Sequence, residues 1–223
     1  MQYGWLLLAP VAACAQAGQG QPQGQIDAPV IALVDAKLDS PVTGGEAGTD
    51  SPGPCTNMTV NLLQNANFDT LPEATGWTET RIQNEPIVRA DGTITAQSGT
   101  ERAWLGGVAA SAATDSLTQD IVVPASATNI GFTGYYDVRT GETGTTVYDS
   151  AKVELLTTGG TVLESIKSFS NAAPTTAWTA FNKTFTSNVA GMTVRLRLTS
   201  TNDIINATSF YFDTFAVNAT VCQ

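Results

Sequence analysis

The chain has 223 residues, a formal net charge of −10 and no histidine. The missing histidine removes Ser-His-Asp and Cys-His nucleophilic sites and the usual His-containing zinc sites. The acidic balance, with Lys and Arg scattered and only Arg195 and Arg197 close in sequence, excludes a nucleic-acid partner, whose phosphates need clustered cations.

The first residues read as an export signal. Residues 5–11 are too short an apolar run to span a bilayer and suit the core of a signal peptide. Val11-Ala12-Ala13-Cys14 resembles a bacterial lipobox, so residues 1–13 are expected to be a lipoprotein-type signal peptide and Cys14 the acylated N-terminus. Several acyl chains on one residue would anchor the chain firmly in a membrane. The start Met1-Gln2-Tyr3-Gly4 is atypical in carrying no Lys or Arg. The alternative is an ordinary secretory signal cleaved after Ala17, which would discard Cys14 and release the protein. Either way the expected location is outside the cytoplasm, at the cell envelope or outer-membrane surface if anchored, secreted if not.

Residues 14–54 are expected to be a flexible linker. From residue 15 to 54 the chain is rich in Gly, Gln, Pro, Ala and Asp and holds no aromatic residue. Such a segment buries too little apolar surface to offset its ordering entropy. Residues 30–34 are its one apolar patch.

From Cys55 the pattern changes to short alternating runs separated by Gly, Asn, Ser and Thr, the mark of β-strands. The expected strands are residues 58–64, 77–82, 117–123, 129–138, 151–157, 162–169, 178–185, 192–199 and 209–217. Val194, Leu196 and Leu198 alternate with Arg195, Arg197 and Thr199, as in a strand buried on one face. Gly159-Gly160 between two such runs reads as a hairpin turn. No amphipathic helix stands out. Residues 55–223 therefore suit a single all-β domain, an antiparallel two-sheet sandwich. Asn-x-Ser/Thr sequons stand at Asn57, Asn182, Asn206 and Asn218. They arise easily by chance in a Thr-rich chain.

Two segments carry a family resemblance. Asn61-Leu62-Leu63-Gln64-Asn65-Ala66-Asn67-Phe68-Asp69, followed by Gly76-Trp77, resembles the opening of galactose-binding-like jelly-roll domains, a group that includes many carbohydrate-binding modules. Ala103-Trp104-Leu105-Gly106-Gly107, Tyr148-Asp149 and Ser209-Phe210-Tyr211-Phe212-Asp213-Thr214-Phe215 resemble a related module. That module is an accessory domain of secreted bacterial peptidases and other surface proteins. Gly191-Met192-Thr193-Val194-Arg195-Leu196-Arg197-Leu198 belongs to the same pattern.

The resemblance implies a jelly roll, a surface ligand and a structural Ca²⁺ held by Asp69 and Asp213. Ca²⁺ takes hard oxygen ligands, which carboxylates and loop carbonyls supply. This chain has Phe212-Asp213-Thr214 where the family commonly has two consecutive aspartates, so one ligand is missing. The alternative is that Asp69 caps a turn and Asp213 bonds locally. Export, together with the adjoining end strands of a jelly roll, implies a Cys55–Cys222 disulfide; two free thiols are the alternative.

Glycan binding needs aromatic faces that stack on sugar rings and polar groups that fix hydroxyls. The aromatic candidates are Trp77, Trp104, Tyr135, Tyr136, Tyr148, Trp178 and Tyr211, with Trp77 and Trp104 placed where core packing is favoured. Tyr135 and Tyr136 point to opposite faces of one strand. Tyr135, Asp137 and Arg139 form the expected ligand face, with Trp178 as a second aromatic. Asp137 with Asp149 or Glu142 would be the carboxylate pair of a glycoside hydrolase. No catalytic motif supports that reading. The expectation is a monomeric, non-enzymatic surface domain that binds glycan. A structural or protein-contact domain is the alternative.

Overall fold

The computed structural model describes residues 55–222, apart from 82–84, 91, 93 and 108–110. The signal, the linker and Cys14 lie outside the described residues. Among those described there is no helix. The strands are β1 (Asn57–Asn61), β2 (Thr78–Thr80), β3 (Val88–Arg89), β4 (Arg102–Gly106), β5 (Ala113–Val122), β6 (Thr128–Thr140), β7 (Ser150–Thr157), β8 (Val162–Ser170), β9 (Thr179–Thr184), β10 (Thr193–Asn202) and β11 (Thr208–Cys222). One sheet has the order β3-β4-β11-β6-β9, with β1 also paired to β11; the other has the order β2-β5-β10-β7-β8. All pairings are antiparallel. This is a two-sheet, all-β sandwich of the jelly-roll kind.

Alternation decides the packing. In β10, Val194, Leu196 and Leu198 are fully buried while Arg195, Arg197 and Thr199 are half-exposed. Burying each such aliphatic side chain contributes about 1.5–3 kcal/mol relative to leaving it in water. These residues share one buried core with a cluster of aromatic side chains. Phe132 lies 4.9 Å from Phe215 and 5.1 Å from Phe181, and Tyr136 lies 4.7 Å from Phe169. Trp77 is buried against Phe68, and its indole N–H donates to the Asn65 carbonyl.

The last strand is the centre of its sheet. β6 covers one edge of β11, and β4 and β1 share the other. A bulge interrupts β11 between Asp213 and Ala216, with Thr214 at φ +53°. The extra residue shifts the phase. Phe210 and Phe212 are buried before it; Phe215, Val217, Ala219 and Val221 are buried after it. β1 pairs Asn57 with Cys222, and Cys55 is disulfide-bonded to Cys222 with their Cα atoms 5.4 Å apart.

The structure adds β3, at two residues too short to show a period, and β4, whose burial does not alternate cleanly. It also carries β11 on to Cys222. Gly159 and Gly160 lie in the β7–β8 turn as expected, the Gly160 N–H donating to the Thr157 carbonyl.

Candidate functional site

Asp69 and Asp213 converge on residues 97–101. Asp213 is fully buried; its Oδ2 accepts N–H bonds from Gln97 (2.7 Å) and Ser98 (3.0 Å), and its Oδ1 accepts the Thr214 N–H. Asp69 Oδ1 accepts the N–H groups of Thr100 (2.8 Å) and Glu101 (2.9 Å), while Oδ2 accepts Asn67 Nδ2 (2.7 Å). Gly99 lies against this carboxylate so closely that a Cβ there would stand 1.7 Å from Asp69 Oδ2. Two oxygens are thus each taken by a pair of backbone amides. As arranged, the two aspartates form a clamp that pins a loop through its amides.

Tyr135, Asp137 and Arg139 lie on the outer face of the six-stranded sheet, since Tyr136 and Val138 face the core. Asp137 is almost fully buried and already committed. Its carboxylate lies 2.7 Å from Arg139 Nε and accepts the Thr175 hydroxyl at 2.6 Å. Arg139 also donates to the Thr176 carbonyl. Trp178 is half-buried at the start of β9, and its indole N–H donates to the Thr95 carbonyl at 2.9 Å. Arg89 sits 3.9 Å over the Trp104 ring, which packs 5.3 Å from Tyr211. The outer face is therefore aromatic and charged, and Asp137, Arg139 and Trp178 already have partners within the protein.

A different aromatic reaches solvent. The β6–β7 and β10–β11 loops meet at one end of the sandwich and enclose a pocket of about 250 Å³ lined by Glu142, Thr143, Tyr148, Asp203, Ile205 and Asn206. Tyr148 is 51% exposed, and Val147, Ile204 and Ile205 are exposed beside it. Buried Asn171 fixes the first loop: its Oδ1 accepts the N–H groups of Tyr148 and Asp149, and its Nδ2 donates to the Thr146 carbonyl. Asp149 Oδ1 accepts the Asp203 N–H at 2.8 Å, which ties the two loops together. In the second loop the Asp203 carboxylate accepts the Ile205 N–H at 2.8 Å.

The three carboxylates considered for hydrolysis have different surroundings. Asp137 is paired on the outer sheet face, Asp149 is fully buried, and Glu142 lines the loop-end pocket. Neither Asp137 nor Asp149 lines that pocket.

No family model matches the chain, and no curated protein matches it in sequence. Its neighbours among solved structures include carbohydrate-binding modules. TmCBM61 in complex with β-1,4-galactotriose is 14% identical, with a TM-score of 0.48 over 74% of this chain and 99% of that one. The xylan-binding domain from CBM 22 is 15% identical, with a TM-score of 0.42 over 72% and 96%. The Stig cyclase Fisc from Fischerella sp. TAU, an enzyme, is 17% identical, with a TM-score of 0.41 over 74% and 100%. Fold alone does not decide function, which rests on the site.

Proposed function

We propose that residues 55–222 form a non-catalytic module that binds glycan in the loop-end pocket between β6–β7 and β10–β11. One observation carries this reading: a half-exposed tyrosine ring stands in a single pocket with the side chains of Glu142, Thr143, Asp203 and Asn206. An aromatic face accepts the C–H surface of a sugar ring, while carboxylates and amides take its hydroxyls. Glu142 and Asp203 make the lining acidic, which favours neutral or amino sugars and disfavours uronic acids. We place the module outside the cytoplasm as a monomer, with Cys14 as its lipid-bearing residue; release by cleavage after Ala17 is the alternative.

Glycan-array binding followed by calorimetry tests the site. Wild type is expected to bind neutral glycans, and Tyr148→Ala to weaken binding by roughly 3- to 10-fold, the worth of one aromatic contact. Tyr135→Ala and Trp178→Ala, away from the pocket, are expected to bind as wild type. The exposed Val147, Ile204 and Ile205 favour a protein contact as the second reading, and it prevails if no glycan binds. Hydrolysis of any polysaccharide would remove the non-catalytic assignment. Intact mass of membrane-fraction protein tests the anchor, which requires an acylated Cys14 at the mature N-terminus.

A further inference from the structure

The inner face of the five-stranded sheet turns polar at the end beneath the loop-end pocket. Along β10 the buried row runs Val194, Leu196, Leu198, Ser200, Asn202. Along β5 it runs Ile121, Gln119, Leu117, Asp115, and along β7 Leu155, Val153, Ala151, with fully buried Asp149 one residue before the strand. Register brings the polar ends together. Ser200 pairs with both Asp115 and Ala151, and Thr201 pairs with Ser150, so Asp149 stands next to Asn202. From the other sheet, Gly106 completes the surround. Its N–H donates to Asp115 Oδ2 at 2.9 Å, and a Cβ on it would come within 2.5 Å of Asn202 Oδ1. Its φ of +74° is one that other residues rarely adopt.

Three oxygens of this cluster are not satisfied by the protein. Asp149 Oδ2, Ser200 Oγ and Asn202 Oδ1 are buried and accept or donate no hydrogen bond, although each side chain is at most 1% exposed. Asp115 is 8% exposed. Among the described residues neither Asp149 nor Asp115 forms an ion pair. Buried polar atoms are normally paired, and a buried carboxylate without a cation costs several kcal/mol. Trapped water would satisfy the neutral oxygens but supply no charge to the two carboxylates.

We propose that Asp115, Asp149, Ser200 and Asn202 hold a hard divalent cation of the Ca²⁺ class between the two sheets. Two anionic and two neutral oxygens are the donor set such an ion takes, with water or backbone carbonyls completing six to eight ligands. The ion neutralises the carboxylates and fixes Asp149, whose other oxygen holds the Asp203 N–H and so the floor of the β10–β11 loop. It is a separate site from the amide clamp at Asp69 and Asp213, and it stands whether or not the pocket above it binds sugar.

Metal content and melting of the full chain decide the question. After chelator treatment and re-addition of Ca²⁺, wild type is expected to retain one Ca²⁺ per chain by mass spectrometry of the metal and to melt higher than the chelated protein. Asp69→Asn should keep the ion. The isosteric Asp149→Asn should weaken Ca²⁺ binding at least about tenfold. Ser200→Ala, which removes only a hydroxyl, should weaken it less and keeps the test open if Asp149→Asn does not fold. No bound Ca²⁺ and an unchanged melting temperature would overturn the proposal, leaving water in the cluster. An ion lost in Asp69→Asn but kept in Ser200→Ala and Asp149→Asn would overturn it equally.

Discussion

Asp213 ends the first half of β11 with no solvent exposure and three backbone N–H groups on its carboxylate. Burial wins over those hydrogen bonds, with help from the nearby Asp69 charge, and pushes the carboxyl from its ordinary 3.8 up to about 6. The folded state thus holds a proton that the unfolded chain gives up between those values. Stability from this group is present below about pH 4 and is lost as pH rises through 6, a change on the order of 3 kcal/mol. Glu164 has the opposite sign. Burial opposes its ionisation, but the Ser187 and Thr186 N–H groups outweigh it and hold the carboxyl below its ordinary 4.5. Its stabilisation is lost as pH falls below that value. The melting temperature is therefore expected to decline between pH 4.5 and 6, and Asp213→Asn to abolish that decline. A melting temperature that rises through that range in wild type would contradict the assignment. Site residues were only partly legible. Asp137 and Arg139 could be put on one sheet face by period two, but not their mutual pairing, which decides that they are spent. Tyr148 shares its pocket with Ile205 and Asp203 of a distant loop, and loops have no period to read; its place in the Tyr148-Asp149 motif was the one available signal.

Strands with one buried face were the readable elements. β10 shows its alternation over ten residues, and its sequence-derived span, 192–199, lies almost wholly inside the observed Thr193–Asn202. β11 does not keep one phase, because the bulge at Thr214 lets Phe212 and Phe215 both point inward. β3, two residues long, depends on its partner β4 for existence. β1 is an element of another kind. Four of its five residues are exposed, it pairs only with β11, and the disulfide follows directly at its N-terminal side. The bridge closes a loop spanning a sequence separation of 167 residues. Such a long loop contributes up to about 5 kcal/mol by restricting the unfolded chain. Cys55→Ser with Cys222→Ser is expected to lower the melting temperature strongly while the β-sheet circular dichroism of the folded state stays unchanged. Hydrogen exchange should then show faster exchange in residues 57–61 and not in β10. Equal melting temperatures with and without the bridge would show that it does not restrain the unfolded ensemble.

At the scale of the molecule, the last of the described strands is the one on which a whole sheet depends. β11 hydrogen-bonds to β1, β4 and β6, which come from the beginning and the middle of the domain. Its Phe210, Phe212, Phe215 and Val217 fill the space between the sheets. Without it, β4 and β6 have no common neighbour, and the aromatic cluster around Phe132 and Phe181 loses the Phe215 ring that joins it to Phe68 and Trp77. Native pairing of this sheet therefore cannot precede synthesis of residues 208–222, and the dominant contacts join segments far apart in sequence. Two outcomes are expected. A chain ending at residue 207 should show no cooperative unfolding transition in urea by tryptophan fluorescence. The intact domain should refold on the millisecond-to-second scale usual for non-local β topologies, not in microseconds. A cooperative transition in the shortened chain would mean that the five-stranded sheet β2-β5-β10-β7-β8 carries enough core by itself. Against that stands the open face of its Leu117, Leu196 and Leu198, which would then lie in water.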